Sequence, residues 1–152
     1  MSAYLTIYIK DVRKDNYMFM DAYGGYYRDI FQSELGDNVH INKNNNPLAK
    51  LVSTNDINRI IQHIDKDIDK DLGNISNAKD HIEIILRMTD QSINNRLEAI
   101  QEEEAFIAEC RDNIKIYQRV KNFYTVLLDL SDENRIYAGI DCFAPDGSDV
   151  EE

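Results

Sequence analysis

The chain has 152 residues, with 17 basic and 28 acidic side chains, a formal charge of −11, two cysteines and no tryptophan. Its length suits one domain with a real core. No stretch reaches the ~20 apolar residues of a membrane span, and the sign of the charge makes direct nucleic-acid binding unlikely.

Residues 3–10 alternate strictly, with Leu5, Ile7 and Ile9 on one side and Tyr4, Thr6 and Tyr8 on the other, which predicts a strand. A polar turn over 11–16 leads to a second predicted strand over 17–22, broken by Gly24-Gly25. Residues 26–35 suit a short helix ending at Gly36, although Tyr26, Tyr27, Ile30 and Phe31 suit a strand as well. The run Asn42-Lys-Asn-Asn-Asn-Pro47 reads as a loop within 37–52.

From Ser53 the period changes. Ser53, Thr54 or Asn55 can cap a helix, and Ile57, Ile61, Ile64, Ile68, Ile75, Ala78, Ile82 and Ile85 follow at three-, four- and seven-residue spacings. The phase passes unbroken through Gly73, which predicts one helix over about 55–89, kinked or weakened there. Thr89–Ser92 is a polar turn, and Ile93, Leu97, Ile100, Ile107, Ile114, Tyr117, Val120, Phe123, Tyr124, Leu127 and Leu128 define a second helix. Ile93, Ile100, Ile107 and Ile114 keep heptad spacing. With the turn near residue 91, Ile75 should meet Ile107 and Asp71 should meet Arg111. Residues 135–143 alternate again and predict a C-terminal strand.

An antiparallel hairpin returns the chain to its start, so the terminal strands should share one small antiparallel sheet. The expected fold is α+β. In it, 1–52 and 131–143 form a base and 53–130 a coiled-coil helical hairpin arm, within a single domain 1–143 followed by a flexible acidic tail, 144–152. Charge is uneven along it. Residues 1–52 hold six basic and six acidic groups, 53–130 ten against fifteen, and 131–152 one against seven.

No catalytic or metal-binding constellation stands out. Asp65-Lys-Asp-Ile-Asp-Lys-Asp71 begins like a calcium loop, but Lys70 and Ser76 occupy the positions that need glycine and glutamate. His40, His63 and His81 lack ligand spacing, and Gly24-Gly25 lacks a phosphate-loop lysine. Cys110 and Cys142 are too few and too distant for a disulfide scaffold or a zinc site, and residues 1–10 carry no secretory signal. A cytoplasmic protein with buried thiols is expected. No cofactor and no metal is assigned, and the chain is not expected to be an enzyme.

Partner-binding candidates fall in three groups. Tyr4, Tyr8, Tyr23, Tyr26 and Tyr27 are sheet-packing residues and also the best contact surface near the N-terminus. Ile84 and Met88 at the hairpin tip, together with Leu86, exceed what one seam can bury, and Phe106 stands off the Ile100–Ile107–Ile114 line. Glu102 and Glu103 belong to a carboxylate-rich face, a solvated surface or a mimic of a phosphate backbone.

The start Met1-Ser-Ala-Tyr-Leu-Thr-Ile-Tyr-Ile9, the long helical middle and Asn122-Phe-Tyr-Thr-Val-Leu-Leu-Asp-Leu130 resemble small coil-containing proteins encoded by bacteriophages. The resemblance implies a phage origin, hence the host cytoplasm, and supplies no site residues. It favours a protein-binding module that inhibits a host factor, such as a defence protein. The alternatives are an assembly protein that forms a homo-oligomer through its arms, a small-ligand binder or sponge, and an acidic nucleic-acid mimic.

Overall fold

A computed structural model describes residues 3–14 and 17–145. The chain is α+β. β1 (Leu5–Asp11), β2 (Tyr17–Tyr23), α1 (Gly25–Leu35), β3 (Val39–Ile41), β4 (Pro47–Val52), α2 (Thr54–Arg87), α3 (Ile93–Leu130) and β5 (Asn134–Ile140) follow in order. The strands form one five-stranded antiparallel sheet in the order β2-β1-β5-β4-β3. Its elements divide into two compact units. One holds the chain up to His63 and from Val120 onward; the other is Ile64–Arg119. The division falls inside both long helices rather than at their ends near 53 and 130.

In the sheet unit, β5 is the central strand, and β1 lies between it and the edge strand β2. Leu5 pairs with Ile140, Ile7 with Ala138 and Ile9 with Ile136, so these apolar side chains share a face. Leu5, Ile7, Ile9, Ile136 and Ala138 are buried, as are Ile57, Ile60, Val120, Tyr124 and Leu127 from the helix segments of the same unit. The opposite face carries Tyr8 and Tyr137, and the register brings Leu51 of β4 opposite Tyr137.

Two strands were not expected. The asparagine-rich run connects strands as the loop expected there, but it is the tight turn of a hairpin, β3–β4, whose strands occupy much of the rest of 37–52. Asn42 Oδ1 accepts from the Asn44 and Asn46 amides at 3.0 and 2.9 Å, and Asn45 sits at φ 63°. Asparagine supplies both the side-chain acceptor and tolerance of a left-handed backbone, so a polar run can be a tight turn. Residues 25–35 are helical, and Gly36 ends α1 at φ 63° with its amide donating to Gln32 O at 2.8 Å. The last strand also stops sooner than 143. After Ile140 the chain bends at Asp141 (φ 48°) and runs back beside β4, with Ala49 N to Phe143 O and Phe143 N to Pro47 O both 2.9 Å. Cys142 therefore lies outside β5. Its carbonyl accepts from Tyr8 Oη at 2.9 Å, and its sulfur is 2.9 Å from Thr6 Oγ1.

This return segment depends on Gly139. A Cβ there would stand 2.7 Å from Asn38 O and 3.0 Å from both Cys142 Sγ and Val39 Cγ1. The nearest obstacle is backbone, which cannot rotate away. Gly139→Ala is expected to cost about 1–3 kcal/mol through overpacking, read as a lower Tm by circular dichroism. An unchanged Tm would show that this close approach is not needed. Of the stretch 144–152 read as a tail, Ala144 and Pro145 are placed and Pro145 is buried; 146–152 lie outside the described residues.

α2 begins with a reciprocal cap. Ser53 Oγ accepts from Asp56 N, and Asp56 Oδ2 accepts from Ser53 N, each at 3.1 Å. The helix runs unbroken through Gly73, where nothing lies within 4 Å of an added Cβ. Ser92 Oγ caps α3 by accepting from Asn95 N at 3.1 Å. In the helical unit Ile75, Ala78, Ile107 and Cys110 form one buried cluster, with Ile82 and Ile114 packed against it. That is the antiparallel register expected from a turn near residue 91. No helix of the described residues is long and apolar enough to cross a membrane.

Candidate functional site

The helical unit ends in a groove of about 230 Å³ lined by Leu86, Ile93, Arg96, Leu97 and Ile100. Its origin is geometric. The register pairs Ile93 with residue 89, which lies beyond the end of α2 at Arg87, so nothing stands across from it. Ile93 is 79% exposed, Leu86 58% and Leu97 52%. The heptad seam expected to begin at Ile93 therefore begins at Ile100. Arg96 builds the floor: its guanidinium donates to Ile85 O at 3.2 Å and Leu86 O at 2.6 Å. It thus adds to the bonding of the last carbonyls of α2, where Ile85 O also accepts from the Met88 amide at 3.2 Å and a cation complements the helix dipole.

The expected site residues divide. Ile84 is 53% exposed but does not line the groove, and Met88 is half-buried. Phe106 is 42% exposed. Glu102 is exposed, whereas Glu103 is half-buried and holds His81, with Oε1 2.8 Å from Nδ1. Ile93 and Leu97 were assigned to the seam by their spacing. The signal that could have separated them was the length of α2 measured against the register.

The tyrosines do not form one surface. Tyr23 and Tyr27 pack on Phe123 of α3 at centroid distances of 4.5 and 5.2 Å, and Phe123 meets Tyr124 at 5.1 Å. Tyr124 donates from its hydroxyl to Tyr27 O at 2.8 Å. Tyr26 is half-buried on α1, Tyr8 is tied to Cys142, and Tyr4 is exposed at the other end of β1. Most of these rings are packing.

One polar group sits where the seam should be apolar. Ile64, Ile68, Asp71, Ile75, Ala78, Ile82 and Ile85 follow three–four spacing without a gap, so Asp71 is a seam residue. It is buried. Oδ1 accepts from Asn74 Nδ2 at 3.2 Å, and Oδ2 has no hydrogen-bond partner. The expected pairing with Arg111 does not form. Position 110 faces the seam, and Arg111 lies about 100° further round the helix, exposed. Burial raises the Cys110 thiol pKa, with Asp71 and then Glu109 adding to it. Tyr117 is raised by burial, then by Asp71, Asp67 and Cys110. Cys142 is raised chiefly by burial, partly opposed by its hydrogen bond to Thr6. A thiol held protonated is a poor nucleophile, so neither cysteine is set up for covalent chemistry. Among the described residues, no three His, Cys, Asp or Glu side chains converge as metal ligands.

Fold and groove together define an α+β protein with a long antiparallel helix pair and an uncovered apolar end on that pair. Compared with family models, curated proteins and solved structures, the chain finds no match.

Proposed function

We propose that the protein is a non-enzymatic protein-binding module whose contact surface is the apolar end of its helix pair. The carrying observation is that Leu86, Ile93 and Leu97, each more than half exposed, line one groove. Exposed aliphatics on soluble proteins mostly occur singly; clustered ones mark contact sites. Arg96 of the groove is tied to the α2 backbone at Ile85 O and Leu86 O, so a partner's aliphatic or aromatic anchor meets a wall fixed in advance. The resemblance to phage proteins points to a host factor, a defence protein included, as that partner and to inhibition as the outcome.

A second reading makes the partner another copy of the chain. Residues 79–98 hold three basic and four acidic groups, whereas the whole chain carries −11. Two such ends repel each other little, and salt screens the rest beyond about 8 Å. A two-fold pair would follow.

Light scattering, together with affinity capture from bacterial lysate, tests both with the wild-type chain, Leu97→Asp and Leu72→Asp. Leu72 is 50% exposed but does not line the groove. Leu97→Asp is expected to lose a captured partner at least tenfold, or to return a dimer to the 17.7 kDa monomer mass, while Leu72→Asp behaves as wild type. A partner or dimer retained equally by all three would place the contact elsewhere.

A further inference from the structure

Leu5, Ile7 and Ile9 of β1 turn to the core, so Thr6, Tyr8 and Lys10 turn to the other side of the sheet. The register puts Tyr137 opposite Tyr8, Arg135 opposite Lys10 and Leu51 opposite Tyr137, all on that outer side. Tyr17 of β2 joins them opposite Lys10. Lys10 Nζ stands 5.2 Å from its ring centre, and the ring meets Tyr137 edge-on at 5.4 Å. Beside Tyr137 the sheet unit holds a cavity of about 350 Å³ with Leu51, Tyr137 and Pro145 in its wall. That volume lies within the ~300–1,000 Å³ usual for small-molecule sites. His40, Leu48 and Lys50 border the cavity too, but the register turns their side chains to the inner side.

Two observations restrict the occupant. Lys10 and Arg135 face each other directly across β1 and β5, and like charges so placed destabilise a sheet. No acidic residue stands on the outer side of β1, β4 or β5. Among the described residues neither cation forms an ion pair, although the chain has 28 acidic side chains against 17 basic. An anion between the two would turn their repulsion into a clamp. The second observation is the neighbour. Tyr137 follows Arg135 on the same side of β5 after two residues, ~7 Å along the strand, and leads into the apolar cavity. The occupant therefore joins an anionic group to a flat or apolar body across that distance, which one pentose covers.

We propose that the outer side of the sheet binds a nucleoside monophosphate. The phosphate is held between Arg135 and Lys10, and the base lies in the cavity against Tyr137 and Leu51. Every base has a π-face for a tyrosine, so the platform itself does not select among bases. A phosphate monoester carries a charge of about −1.5 to −2 at pH 7, which the two cations match. A single strand of nucleic acid would bring further phosphates to an acidic chain that offers no third cation on β1, β4 or β5 of this side. The site goes beyond the helix-pair groove and does not depend on what that groove binds.

The test titrates the full chain by calorimetry with each of the four ribonucleoside 5′-monophosphates. The matching nucleoside, inorganic phosphate and a short single-stranded homopolymer of the same base serve as comparisons. Variants are Arg135→Glu, Leu51→Asp and Lys79→Glu, all at exposed positions, the last making the same change in net charge on α2. At least one monophosphate is expected to bind at one molar equivalent, with its nucleoside and inorganic phosphate at least tenfold weaker. Affinity should fall at least tenfold in Arg135→Glu and Leu51→Asp and stay unchanged in Lys79→Glu. Arg135→Glu should keep or raise the Tm, because it replaces a like-charged cross-strand pair with an opposite-charged one. Absence of binding by all four monophosphates would overturn the proposal, as would affinity unaffected by Arg135→Glu. Inorganic phosphate binding as tightly as the monophosphate would remove the base from the site. A homopolymer bound at least tenfold tighter, and lost in the same variants, would replace the nucleotide with a strand.

Discussion

Tyr124→Ala is expected to destabilise the protein by about 3–5 kcal/mol, the usual cost of emptying a large aromatic core site. Tyr124 is 1% exposed and heads the largest fully buried side chains. Its ring meets Phe123, which in turn carries Tyr23 and Tyr27, and its hydroxyl reaches Tyr27 O at 2.8 Å. One truncation thus loosens α3, α1 and β2 together. Tyr124→Phe keeps the ring and loses only the hydrogen bond, for about 1 kcal/mol. The two variants also separate a pH effect. Burial raises the Tyr124 phenol well above the ordinary tyrosine value of 10.0, with Tyr26 and Tyr27 adding to it. The neutral form is the one the fold accepts. Above pH 10 the unfolded chain releases this proton and the folded chain does not, so stability falls as pH rises beyond that point. Denaturant unfolding at pH 8 and pH 11 checks both claims. Tyr124→Phe should lose less stability between the two than wild type, and an equal loss would remove Tyr124 as the cause.

Asp71→Leu is expected to stabilise the helical unit. The native carboxylate is buried at a seam position with one oxygen unpartnered, and an unsatisfied buried acceptor costs about 1–3 kcal/mol. The gain should fall in the lower part of that range, because two helices cover the group with a single layer of side chains. At about 2–4 °C per kcal/mol for a chain of this size, a Tm rise of several degrees is the expected reading. A polar residue at one seam position commonly specifies register and the number of helices that associate, at a cost in stability. The same variant should therefore show increased association by light scattering. A lowered Tm would mean that Asp71 has a partner in solution that stabilises it.

Periodicity was enough to place β1, α2, α3 and the alternating part of β5, because burial on one side imposes a two-residue or a three–four-residue repeat on the residues themselves; β2 followed from the polar turn before it. The register of the helix pair was legible for the same reason. Ile75 and Ile107 could be matched across a turn whose polar residues mark its centre. What the amino-acid order could not carry was anything that depends on what lies opposite. The β3–β4 hairpin was hidden because its turn is four asparagines and a lysine and its strands are short, so no repeat had room to develop. Asp71 keeps the spacing of the seam but resembles the solvated acids around it, and only the neighbouring helix shows that the carboxylate is buried. Ile93 and Leu97 carry the spacing of core residues, yet α2 stops before it can cover Ile93, so they form a surface. The cavity at His40, Lys50 and Tyr137 draws on the β3–β4 hairpin and on β5, which both long helices separate from it in sequence. Local patterns record which side of an element is buried; only the tertiary structure decides where that burial ends, and the exposed groove and the open cavity both lie at such ends.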